Sequence, residues 1–179
     1  MVDAFSRKLW VDPLTSKDPL SVPRSLTHIF SKSGWPHQIT TDMGKEFTGK
    51  PMTDFLNHVD VVHVTNNPAA VNTLAVVDRA IGKYKSILHN LLTKQGGTWS
   101  DYVQKAAEIF NDRPNAHLYN SSPNDVKGNN VLEYELEAEA GVDMKQNYDK
   151  WVDRMHKLRQ KGGVPNAPAQ GAVGIHRGA

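Results

Sequence analysis

The chain has no cysteine among its 179 residues, which excludes disulfides and every cysteine-based zinc site. Its eight histidines do not fill that gap, since none of them falls at the spacing of a structural zinc site. No stretch approaches ~18 consecutive apolar residues, so no membrane-spanning helix and no membrane partner are expected. The first eight residues, Met1-Val2-Asp3-Ala4-Phe5-Ser6-Arg7-Lys8, lack the ordered charged and apolar regions of a secretory signal. Neither sign of charge is in large excess: a net charge of +2 permits nucleic-acid binding without arguing for it. There is also no internal repeat.

What is present reads as one soluble globular domain. Hydrophobic residues make up 39% and charged residues 22%, enough apolar side chains to build a core. Residues 1–4 and 8–14 read as two short strands joined by a tight turn at Ser6-Arg7, the second stopped by Pro13. Leu20, Val22, Leu26, Ile29 and Phe30 recur at helical intervals, and Pro23 places the start of that helix close to Val22. Ser33-Gly34-Trp35-Pro36 ends it, and a strand at 38–41 runs into Asp42. Lys50-Pro51 opens a helix over 52–58, and the β-branched alternation at 59–64 predicts a strand.

Residues 66–72 have loop chemistry. The longest predicted helix follows at 73–93, with Leu74, Val77, Ile81, Tyr84, Leu88 and Leu91 as its apolar set. Gln95-Gly96-Gly97 breaks it, and Ser100 is the expected cap of a further helix over 101–112. A connector rich in Asn, Ser and Pro leads to a short helix at 123–127. Beyond it, residues 133–143 carry five acids and no base, and residues 145–161 carry six bases against two acids. Both halves read as appended helices, and the glycine-rich residues 162–179 as a disordered tail. The order of elements predicts a mixed α/β domain, a small sheet with helices packed on it.

Two acids stand out within this pattern. Asp42 ends a predicted strand just before Gly44, and functional side chains of α/β sheets lie at such carboxyl ends. Asp78 lies near the start of the long helix, on the face shared with Leu74, Ile81 and Lys85, which is expected to point inward. Carboxylates on separate elements are what a two-metal phosphoryl-transfer site uses. Each also has a plainer explanation, Asp42 as a turn residue and Asp78 as an early-helix acid favoured by the helix dipole. Lys45, Lys83 and Lys85 flank the acids and are candidates for gripping nucleic-acid phosphates, or are simply solvated. His63 reads as a packed strand histidine rather than a ligand, residues 66–72 as an active-site loop or an ordinary polar one, and the basic segment 145–161 with Trp151 as a solvated helix face or, less readily, a nucleic-acid contact.

Taken together, three segments resemble one family. Val2-Asp3-Ala4-Phe5-Ser6-Arg7-Lys8, then Thr40-Thr41-Asp42-Met43-Gly44-Lys45-Glu46-Phe47, then Val76-Val77-Asp78-Arg79 after a gap of thirty-five residues from Asp42 to Asp78, are similar to the catalytic core of retroviral and long-terminal-repeat retrotransposon integrases. Phe110-Asn111-Asp112-Arg113-Pro114 and Ser121-Ser122-Pro123 resemble that family's downstream helix and connector, so the likeness covers residues 1–128. It implies an RNase H-like fold, a polynucleotidyl-transferase ancestry, DNA as partner, Mg²⁺ or Mn²⁺ as cofactor, homodimer formation through the 101–112 helix, and an intracellular, nuclear site of action. By position, Asp42 matches the second catalytic and metal-binding carboxylate, Asp78 the third, and Lys85 a lysine used against DNA phosphate.

The departures from the family pattern matter as much. The third acid of the family is Glu, whereas this chain has the shorter Asp78. Ala70-Val71-Asn72-Thr73 lacks the family's Gln and Gly. The first catalytic Asp belongs to the strand before Val2, so the expectation is a core lacking its first strand, with residues 129–161 as a helical extension. Two functions compete at this point: an integrase-type transferase, and a decayed or domesticated module that binds DNA or itself without turnover.

Overall fold

The computed structural model describes residues 1–14, 16–65 and 75–160, and within the last helix the side chains of only part of residues 144–160. The expectations for residues 66–72 and 162–179 lie outside it. By contacts the chain divides into two compact units, Met1–Glu133 and Tyr134–Ala179.

In the first unit, α1 (Ser21–Ser33) leads to β1 (Gln38–Thr41), then the single turn α2 (Lys45–Thr48), α3 (Lys50–His58) and β2 (Val62–Thr65). α4 (Ala75–Gln95), α5 (Val103–Asn111) and α6 (Pro123–Val126) follow. α7 (Asn130–Gln160) begins in the first unit and supplies the described part of the second. Among the described residues no helix is long and apolar enough to cross a membrane.

α1 starts where Pro23 allows a first turn and stops at Gly34, whose φ of +89° is costly for any residue with a Cβ. Its inner face buries Ile29 and Phe30. Phe30 is fully buried between Trp35, ring centroids 5.3 Å apart, and Phe55, 6.5 Å apart. Pro51 occupies the favoured first turn of α3, which buries Met52 and Leu56 against Val61 and against Val22, Leu26 and Ile39. That packing holds β1 beside β2. The strands run parallel, with Ile39 opposite His63 and Thr41 opposite Thr65, joined by α2 and α3 as a parallel pair requires.

A second core joins Leu9, Ala80, Ile87, Leu91, Ala106, Ala107 and Phe110, with Tyr84 and Leu88 packed on it. Leu9 enters through the N-terminal turn, where Val2 bridges it antiparallel and the Asp3 amide donates to the Lys8 carbonyl at 2.9 Å. From the other side the buried Asn111 side chain reads the Leu9 backbone completely. The Leu9 N–H donates to Asn111 Oδ1 at 2.8 Å, and Asn111 Nδ2 donates to the Leu9 carbonyl at 2.9 Å.

Several expectations change. The N-terminal strands reduce to one bridge, because Asp3 accepts from the Ser6 amide at 2.9 Å and Arg7 turns left-handed. β2 starts three residues late, since Asp60 at φ 54° completes a turn off α3. Thr98, not Ser100, caps the next segment, in a reciprocal box with Asp101 that opens a 3₁₀ turn before α5. The Thr98 amide and hydroxyl both donate to the Asp101 carboxylate, which holds it below its usual range. The acidic and basic segments are not two helices but one of 31 residues, longer than α4. The sheet is a parallel pair with a separate antiparallel bridge, not one mixed sheet, among the described residues.

Replacing Asn111 by Ala leaves both Leu9 backbone groups buried without partners. The expected loss is about 2–6 kcal/mol, taking about 1–3 kcal/mol for each of the two orphaned groups. Urea unfolding of the full chain checks this; a loss below about 0.5 kcal/mol would show that Leu9 finds other partners.

Candidate cation and nucleic-acid site

The carboxyl end of β1 concentrates the chemistry. Asp42 follows the last paired residue, Thr41, and its carboxylate folds back so that Oδ1 accepts from the Gly44 amide at 3.0 Å. The Gly44 carbonyl then accepts from the Phe47 and Thr48 amides at 2.9 and 3.1 Å, which starts α2 and brings Glu46 round. A Cβ on Gly44 would stand 2.8 Å from Glu46 Oε2 and 3.0 Å from Asp42 Oδ1. Gly44 has an ordinary φ of −56°, so an added Cβ would meet side-chain ends rather than strain the backbone. Both carboxylates thus border the space that a side chain at residue 44 would occupy.

Glu46 therefore joins the site, although the sequence reading did not single it out. The only signal was its place two residues beyond Gly44, which has meaning once the turn is known. Lys45, between them in sequence, is exposed at the start of α2. Two converging carboxylates are hard oxygen donors of the kind Mg²⁺ takes, one or two at a time, while keeping several waters. Among the described residues no three Asp, Glu, His or Cys side chains converge, so the acids on view do not complete a two-metal centre.

Asp78 sits differently from its expectation. It lies in the first turn of α4 and is exposed, as are Ile81 and Lys85 on the same face. The buried face carries Ala80, Ile87 and Leu91, on the other side of the helix. Small Ala80 hid this register: Ile81 of the predicted apolar set points at solvent, while Leu91 of that set is buried with Ala80 and Ile87. Lys83 and Lys85 are both exposed on α4. With Lys45, they form no ion pair among the described residues, which leaves three cations on the surface of the first unit.

His63, expected to be a packed strand residue, is half-buried on β2, and burial lowers its pKa. Its Nε2 lies 2.9 Å from Thr41 Oγ1, next in sequence to Asp42.

The comparisons identify the class first: this is the α/β fold of retroviral integrase catalytic cores, which implies the RNase H-like arrangement. The catalytic core domain of HTLV-2 integrase, in complex with magnesium and in a trimeric form, superposes with a TM-score of 0.59 at 20% identity, over 70% of this chain and 80% of that one. The catalytic core of BIV integrase gives 0.60 at 16% identity over the same shares. In sequence, the chain is 34% identical over 90 residues, half its own length, to the Gag-Pro-Pol polyprotein of squirrel monkey retrovirus. It spans 5% of that polyprotein's length. No protein-family model matches the chain.

Gly44→Ala should part Asp42 from Glu46 at little structural cost, since only side-chain ends must move. Stability by urea unfolding is expected to stay within about 1 kcal/mol, while Mn²⁺ affinity falls. Unchanged Mn²⁺ affinity would show that the two carboxylates do not act together.

Proposed function

We propose that the chain is an integrase-core-like domain that binds DNA through phosphate contacts and holds a divalent cation at the carboxyl end of β1. The observation that carries this reading is Asp42 at that strand end, facing Glu46 across Gly44, within an integrase-core fold. Lys45, Lys83 and Lys85 are the proposed phosphate contacts. Asp42 and Glu46 would hold Mg²⁺ or Mn²⁺, and Asp78 is the acid that the family likeness adds to them. When bound, such an ion polarises a phosphate oxygen and lowers the pKa of its water.

The chain's own residues act around that ion. The Gly44 amide fixes the direction of the Asp42 carboxylate. The lysines neutralise phosphates and release counterions, which supplies affinity and registers the DNA without reading its bases. No strand-transfer step is drawn, because the described residues offer no three-ligand group. That same observation favours a second reading, in which the fold serves DNA binding or self-association without turnover. For the DNA-binding work we propose a nuclear site, on family likeness.

Two measurements on the whole chain separate these readings. Duplex-DNA binding followed through a KCl titration should weaken steeply with salt, and Lys83→Ala or Lys85→Ala should each reduce the slope by about 0.9. Asp42→Asn and Asp78→Asn should leave that slope in place. Binding that ignores salt would overturn the phosphate-contact reading. Mg²⁺-dependent joining of a DNA 3′ end to a target, abolished by Asp42→Asn, would establish the catalytic reading; DNA binding without it would establish the second.

A further inference from the structure

The hydrogen bonds around Thr41 have a fixed direction. Thr41 Oγ1 donates to the Asp42 carbonyl at 2.8 Å and lies 2.9 Å from His63 Nε2. A hydroxyl has one proton to give. With that proton on the Asp42 carbonyl, the imidazole must be the donor in the second bond, so His63 carries its hydrogen on Nε2. The chain of bonds then runs in one sense, from His63 through Thr41 to the Asp42 carbonyl.

This arrangement stands where the sheet stops supplying partners. Thr41 is the last residue of β1, paired with Thr65, and Asp42 is the first residue past the ladder. Its carbonyl is held by the Thr41 hydroxyl and its carboxylate by the Gly44 amide, one on each side of the Asp42 α-carbon. Ile39 and Thr41 share one face of β1, and His63 pairs with Ile39, so parallel pairing delivers the imidazole diagonally to that hydroxyl.

We propose that His63 is a positioning residue for Asp42, acting through the Thr41 hydroxyl to fix the peptide plane from which the Asp42 carboxylate is aimed at Glu46. Its consequence for cation binding rests on the reading of Asp42 as a ligand; the direction of the hydrogen bonds does not. Burial, which disfavours the imidazolium, keeps His63 neutral near pH 7, where one tautomer is defined.

The first test uses the unaltered chain. A long-range ¹H–¹⁵N NMR correlation of the imidazole at pH 7.5 should show the Nε2–H tautomer; an Nδ1–H tautomer overturns the proposal outright. The second uses paired variants. His63→Leu should shift the Asp42 and Met43 backbone amides and lower Mn²⁺ affinity about tenfold, as loss of a partner behind a metal ligand commonly does. Thr41→Val should do the same. Thr41→Ser, which keeps the hydroxyl, and His63→Gln, which keeps a side-chain N–H donor, should restore both readouts. Equal losses in the conservative and disruptive members of each pair would overturn the proposal, since packing alone would then account for them. If the chain takes up no Mn²⁺, the cation reading fails, and the tautomer and the amide shifts still decide the hydrogen-bond chain.

Discussion

The first unit depends on one side chain taking the part of a strand. Leu9 has a neighbour on one side only, the bridge to Val2, and its remaining N–H and C=O point into a core where water cannot serve them. Asn111 supplies a donor and an acceptor in the geometry of a peptide group, 102 residues away in sequence. Only a primary amide of this length offers both at once. An Asp would lose the donor and bring a charge into the core; a Leu would orphan both backbone groups. Because Asn111 ends α5, this pair of bonds also fixes where the N-terminal turn meets α4 and α5, the helices that form the larger core.

The β1–β2 pair has a different support. Two parallel strands bury too little to stand alone; Met52 and Leu56 of α3 and Leu26 of α1 pack in one cluster with Ile39 of β1. The strand end that carries Asp42 is thus set by packing on one side of the pair. Its fine geometry is set by hydrogen bonds beyond the ladder. The rigid part brings the chain to Gly44, and the turn there selects which side chains meet.

Much of this was legible in sequence where local rules decide. The strand at Gln38–Thr41, the helix opened by Lys50-Pro51 and the short helix after Ser122 follow from periodicity, proline placement and capping chemistry. The inner face of α4 was legible only in part: Tyr84, Leu88 and Leu91 lie in or on the core as their period predicts, while Ile81 does not. Alanine gives no hydrophobic signal, so Ala80 could not announce the stripe that it begins, and exposed Ile81 supplied a false one. Nor could any local rule show that Thr98 would outcompete Ser100 as a cap, since both carry the right hydroxyl and the choice turns on which of them Asp101 reaches. At the site, Asp42 was legible from the strand that precedes it. Glu46 was not, because its meeting with Asp42 depends on a missing Cβ at Gly44, and an absence of atoms has no period.

The two acids first marked by sequence consequently carry unequal weight. Asp78 occupies the first turn of a 21-residue helix, exposed, where the positive end of the helix dipole stabilises a carboxylate by about 0.3–1 kcal/mol. That interaction accounts for its place without a ligand. Glu46 has the same account, as a first-turn acid of α2, and Asp42 is held as a turn residue by the Gly44 amide; what sets the pair apart is that both carboxylates border the space a Gly44 Cβ would fill. The Gly44 amide fixes the direction of the Asp42 carboxylate, and only a hydrogen stands where a Cβ would meet it. The physical case for chemistry in this chain therefore rests on the β1 strand end, with Asp78 joining it through family likeness alone.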